Sequence, residues 1–385
     1  MNFAEALRAL MADRGVSGNK LARIAPCDKA LISRLVNGRQ QPSESMARLL
    51  DEALGAGGKL AALAPGPTAG PEDRDRLAWA ARNPRRIDSA AVESLATVLA
   101  AQRHAEDLIG SAATLSPVLA QLQSITGMVA EARGPVRPVL VDVAGQWAQF
   151  AGWLQASIRN DAAAIRLHDR ALEWAVEAGD VNLISEVVSM KGHIAWMAGQ
   201  PGAVIGLSQA AQRDPAAFPG QHAISAAQEA RGHAMTGDAS AAERKLDDAM
   251  TSAQAADERR DEAPPWLYYH SPAFFDLQRG IVLGYFAAQS RYYVIALSAL
   301  EAGYAGLPPE EQGSEWGAGY LAHMAAIHER GGGVRQACAV ALTAAGVARQ
   351  TGSPRLRAML APLRARLAAK WPADPDVLAL SEALR

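Results

Sequence analysis

Apolar residues recur at intervals of three and four along most of the 385-residue chain, and beyond residue 72 strand signals are nearly absent. That period gathers each apolar set on one side of a helix and predicts an all-α protein. Near the N-terminus the pattern comes in short bursts. Ser17 and Asn19 open a segment in which Leu21, Ala22 and Ile24 fall at helical spacing. Pro26 closes it, because proline disfavours helix at the residue before it. A second burst starts at Cys27 and Asp28, with Leu31, Ile32 and Leu35 on one side and Lys29, Ala30, Ser33 and Arg34 on the other. Asn37-Gly38 then supplies a stop that tolerates the left-handed conformation. Farther on the bursts lengthen. Asp88-Ser89 introduces Val92, Leu95, Val98 and Leu99, and a second long amphipathic pattern runs through Leu119, Leu122, Ile125 and Val129.

From about Pro135 the chain becomes self-similar. Ala151-Gly152-Trp153-Leu154, Ala164, Ala171-Leu172 and Gly179-Asp180 make one unit; Lys191-Gly192-His193-Ile194, Gly199-Gln200, Ala203 and Ala211 make the next. Ala230-Arg231-Gly232-His233, Gly237-Asp238, Ala242 and Ala249 make a third, and two blurrier units lie in 280–307 and 320–353. Equivalent points recur about every forty residues, the spacing of a two-helix repeat. Small residues let the helices of a pair approach closely, while Gly-Asp or Gly-Gln marks the turn between them. Leu356 to Leu367 is expected to cap the array, and Pro372 to Leu384 to form a last short helix.

Two short helices joined by a tight turn, the second half apolar and half basic or polar, are what a helix-turn-helix requires. The stretch from Met1 to Leu63 resembles the lambda-repressor-like, or XRE-type, DNA-binding domain. On that resemblance the first helix is Phe3–Arg14, the scaffold helix Ser17–Ala25, the recognition helix Asp28–Val36 and the fourth Ser43–Leu54. Many members carry glycine in the turn where this chain has Pro26-Cys27. The resemblance assigns base contacts to Asp28, Lys29, Ala30, Leu31, Ser33 and Arg34, and phosphate contacts to Ser17, Asn19, Asn37, Arg39 and Gln40. A cation at 29 or 34 can donate to guanine O6 and N7, and only arginine does so with a planar fork. The later units resemble tetratricopeptide repeats, and the joint arrangement is similar to a large group of actinobacterial regulators. The implied organisation is a four- or five-helix head at 1–63, a linker at 64–72, a helical connector and dimerisation region at 73–134, and an α-solenoid of tetratricopeptide-like helix pairs at 135–385.

Charge sharpens this division. Residues 1–65 hold nine Lys or Arg against six acids, about +3, which leaves about −5 on the rest of a chain of net charge −2. A small basic head on an acidic body suits a protein that meets DNA at one end. No apolar run is long enough for a membrane span, and Glu5 stands where a secretory leader would be basic, so a cytoplasmic location is expected. The two cysteines, Cys27 and Cys338, imply neither a disulfide framework nor a zinc site. The eight histidines fall in no metal-ligand spacing, Gly331-Gly332-Gly333 lacks the lysine of a phosphate loop, and no nucleophile motif occurs. No enzyme activity, metal or cofactor is therefore expected.

If first helices line the concave side of the array, Gln149, Trp153, His193, Trp196 and Arg231 face a groove, where rings and an arginine suit a small-molecule or peptide effector. Trp153 and Trp196 equally suit packing between repeats. The segment from Ala263 to Asp276, broken by Pro264-Pro265, concentrates aromatics in a chain only 5% aromatic. Its Trp266, Tyr268, Tyr269 and His270 would act as a lid on the groove or as an apolar plug between units. The expected function is a homodimeric, sequence-specific transcription regulator on a palindromic duplex operator, with effector sensing in the repeats. The alternative is a repeat scaffold acting mainly through a protein partner.

Overall fold

A computed structural model describes the chain except residues 1–2, 26–28, 39–41, 43, 61–62 and 64–69, and except the side chains of 30, 44, 45, 48 and 310. Among the described residues every regular element is helical. They divide into two compact units, one of residues 1–75 with 96–104 and one of residues 76–95 with 105–385.

The first unit contains α1 (Phe3–Asp13), α2 (Gly18–Ile24), α3 (Lys29–Val36) and α4 (Glu44–Leu54). Its core is built from one apolar side of each: Phe3 and Leu7, Leu21, Ile32 and Leu35, then Leu50 and Leu54. The expected boundaries are marked by local chemistry. The Ser17 hydroxyl accepts from the Lys20 amide at 3.3 Å and caps α2. Ala25, the residue before Pro26, is extended and ends that helix. Gly15, Gly38 and Gly55 take positive φ where α1, α3 and α4 stop. Beyond α4, the buried Asp51 carboxylate accepts from the amides of Gly58 (2.7 Å) and Leu60 (2.6 Å), fixing the return of the chain onto the core.

Next in the chain come α5 (Pro71–Arg82), in which the second unit begins, α6 (Ser89–Ile109), whose residues 96–104 are counted with the first unit, and α7 (Ser111–Glu131), which Gly110 alone separates from α6. Asp88 caps α6 as expected, accepting from the Ala91 amide at 2.8 Å. A repeat-like stack follows. Its pairs are α8 (Val136–Ser157) with α9 (Asp161–Ala178), α10 (Val181–Met197) with α11 (Pro201–Ala211), and α12 (Pro219–Met235) with α13 (Ala239–Asp257). Then come α14 (Pro272–Gly284) with α15 (Ser290–Ala305), the short α16 (Pro309–Gln312), α17 (Glu315–Arg330) with α18 (Val334–Gln350), and α19 (Pro354–Lys370) with α20 (Pro375–Ala383).

Small residues do what the repeat pattern predicts. A side chain at Gly152 would strike the His168 ring of α9, and one at Gly232 would strike Ile205 and Val204 of α11. At Gly192 the space is filled by the Gln228 amide of α12, which donates to the Ser189 carbonyl at 2.7 Å. The turns depart from the reading at one place. Gly199-Gln200 and Gly237-Asp238 join the helices of their own pairs, but Gly179-Asp180 joins the first pair to the second. Within the first pair the turn is Arg159-Asn160: Arg159 takes a left-handed φ of 66° and the Asn160 side chain caps α9. The tri-glycine at 331–333 is a helix connector in which Gly332 has φ 83°.

Candidate functional site

In the first unit, α3 is amphipathic in the sense the sequence implies. Ile32 and Leu35 are fully buried, whereas Lys29, Ser33 and Arg34 are exposed. Leu31 is half-buried against the core, so only part of its side chain is open. The C-terminal end of α3 is held from two sides. Arg8 donates to the Val36 carbonyl at 3.1 Å and the Asn37 amide donates to the Ser33 carbonyl at 2.7 Å. A guanidinium on those carbonyls also suits the negative end of the helix dipole. Ser17 and Asn19 are exposed at the start of α2. Asp28, Arg39, Gln40 and Cys27 lie outside the described residues, as does the side chain of Ala30. Two exposed cations on α2, Lys20 and Arg23, were not singled out from the sequence, although both sit on its polar side.

In the second unit the first helices turn a common face inward, and side chains distant in sequence meet there. The Trp153 and His193 rings lie 5.8 Å apart, His193 and Trp196 5.2 Å, and Trp196 stacks on His323 of α17 at 5.8 Å. The Arg231 guanidinium covers the Trp196 ring at 4.6 Å and donates to the Gln278 carbonyl oxygen, while the Gln278 amide donates to the Tyr320 hydroxyl at 3.1 Å. Trp196 also donates to the Tyr285 hydroxyl at 2.8 Å. Arg355 of α19 sits over Trp153 at 5.3 Å, with Glu315 at 3.7 Å. Thus Trp153, His193, Trp196 and Arg231 converge, and the structure adds Tyr285, Tyr320, His323 and Arg355. The first three lie in the units whose repeat signal is blurred, and Arg355 lies just beyond them in α19.

Gln149 belongs to a neighbouring buried network. It donates to Glu186 at 3.1 Å, and Gln221, with its amide turned to satisfy both neighbours, donates to Glu186 (3.1 Å) and accepts from Trp266 (2.5 Å). Trp266 is accordingly buried. Tyr268 is exposed and donates to Asp107 at 2.8 Å, while Tyr269 and His270 pack on Phe274 at 5.1 and 5.3 Å.

Electrostatics follow burial. Desolvation pushes His323 down to about 3 and His193 well below the ordinary histidine range, and the Arg231 charge adds to both shifts. Tyr320 is pushed up to about 12 by burial. Burial lowers the pKa of Arg231 itself, and the nearby phenols of Tyr320 and Tyr285 oppose the shift. Among the described residues no group of three or more His, Cys, Asp or Glu could hold a metal ion, and no helix is long and apolar enough to cross a membrane.

Residues 2–64 match the family model of a helix-turn-helix domain. The match spans α2 and α3, the second of which carries the exposed Lys29, Ser33 and Arg34. No curated protein matches the chain.

Proposed function

We propose that this protein is a sequence-specific transcription regulator of the XRE type that reads duplex DNA with α3. The observation that carries the reading is the split character of α3 within a helix-turn-helix domain: an apolar side locked in the core and a solvent-facing set of Lys29, Ser33 and Arg34. A helix so anchored presents donors to base edges without loosening its own packing, and phosphate contacts around it set register. One head of modest charge binds weakly, so the reading includes a homodimer on a palindromic operator with half-sites about 10 base pairs apart or a multiple of it.

The helical stack, read as tetratricopeptide-like, would supply the dimer contacts and take an effector on its inner face near Trp153, His193, Trp196 and Arg231. An effector alters operator binding only if it prefers one arrangement of the two heads over the other. No catalysis is assigned to the chain. Footprinting of the full chain on genomic fragments that it retains tests the reading. Two protected half-sites related by two-fold symmetry are expected, and a purified chain that retards no genomic fragment at low salt would overturn it.

A further inference from the structure

Arg231 is 5% exposed, and among the described residues no carboxylate lies within ion-pair distance of it. Its contacts are neutral: the Gln278 carbonyl oxygen, the face of Trp196 and nearby phenols, with Nε left without an acceptor. Arg355, which also faces this interior, has Glu315 beside it at 3.7 Å. A guanidinium taken out of water without a counter-charge is costly, and buried groups perturbed in this way cluster at functional sites. The histidines beside it add no charge of their own, since burial keeps His193 and His323 neutral. Arg231 therefore holds a buried positive charge with no carboxylate at ion-pair distance among the described residues.

The walls around that charge are rings. Trp153, His193, Trp196 and His323 form a continuous series at 5.2 to 5.8 Å, yet each keeps part of its surface open. Such walls accept a flat, apolar body, and the guanidinium, already stacked on Trp196, offers its N–H edge to a planar acceptor. More than one negative charge would meet Glu315 and the buried Glu106, which lies near Arg355 and accepts from Trp153.

We propose that the inner face of the helical stack binds small flat molecules bearing a single carboxylate, with the carboxylate paired to Arg231 and the body lying among Trp153, His193, Trp196 and His323. The proposal rests on the effector reading above and names the chemistry of that site.

Two variants of the full chain test it before any ligand is added. Gln278→Glu gives Arg231 an internal carboxylate, and Arg231→Met removes the unpaired charge; both are expected to unfold at a higher temperature than the parent. If neither does, Arg231 is already compensated and the proposal fails. Benzoate and indole-3-acetate, added to the parent chain, are expected to quench its tryptophan fluorescence and raise its unfolding temperature, with at least tenfold weaker effects for the matching amides and for inorganic phosphate. Both variants should bind the carboxylates at least tenfold less well. Equal response to acids and amides, or unchanged binding by Arg231→Met, would overturn the assignment. Operator affinity measured in the same titrations separates the two ideas. Carboxylates that bind without altering it leave this site standing and remove its regulatory role, whereas control by another compound, unaffected at Arg231→Met, keeps the regulator and ends the carboxylate site.

Discussion

Arg159 shows how one residue departs from a pattern that its neighbours obey. Where the next two pairs use Gly199 and Gly237 to turn between helices, the first pair holds an arginine at φ 66°. A side chain with a Cβ is strained there by about 1 kcal/mol. Its ion pair with Asp161, at 3.7 Å between partly exposed side chains, returns little of that. Arg159→Gly should stabilise the second unit by up to about 1 kcal/mol in chemical unfolding. At α3 the expected effects concern DNA. Lys29→Ala and Arg34→Ala should each cost about 1 to 3 kcal/mol on the cognate site. They should cost much less on random duplex, and equal losses on both would remove those side chains from base readout. Lys20→Ala, if that exposed side chain meets phosphate, should weaken all duplexes alike and flatten the salt dependence.

At the scale of elements, close helix contacts depend on glycines that the sequence makes visible only in part. Gly152, Gly192 and Gly232 stand at equivalent places in the repeat pattern, and each proves to be a point where another helix's side chain fills the missing Cβ. Gly280 and Gly303 do the same for α14 and α15, where the repeat signal had blurred. A Cβ at Gly280 would strike Leu300 and come within 2.9 Å of the Ala296 carbonyl. Gly280→Ala should therefore destabilise the stack by about 1 to 3 kcal/mol, because backbone cannot yield as a side-chain tip can. The helix caps at Ser17 and Asp88 were legible for a simple reason: each acts on an amide three residues away. The helix α5 was not, since PEDRDRLAWAAR buries only Leu77 and Ala80 and shows no apolar stripe. Convergence on the inner face was half legible. Helical spacing placed Trp153, His193, Trp196 and Arg231 on one side of their helices, but nothing local told that His323 and Arg355, far later in the chain, would complete the same site.

For the second unit as a whole, stability is tied to protonation. His168 is held down at about 4, His270 and His323 at about 3, and His193 well below its ordinary range, chiefly by burial. A folded-state pKa below the unfolded one means that this stability is present above about 6.5 and is lost as pH falls toward the folded values. Two carboxyls act oppositely. Asp107 and Asp142 are raised to about 7, by burial first and then by Glu106 and by Asp180 respectively, so their contribution is present below about 4 and lost as pH rises through 7. With His328 also lowered and Glu106 also raised by burial, five imidazoles stand against three carboxyls, which gives a net loss in acid, and the unfolding temperature should fall between pH 6.5 and 4. His323→Gln should make that fall shallower. Asp142→Asn, which keeps a donor toward Asp180 without the charge, should raise the unfolding temperature at pH 8 and change little at pH 4.

Stacks of helix pairs commonly touch only their neighbours in sequence, and so can fold piecemeal from any point. Here Arg355 lies over Trp153 and His323 lies on Trp196, so early and late helices brace one another across the middle. During synthesis the tryptophan of the earliest pair meets His193 early, but the face of its ring that Arg355 covers waits until some two hundred further residues have been joined. A nascent chain halted before Arg355 would leave that face of the ring to chaperones, and the second unit should come apart as one body instead of fraying from its tip.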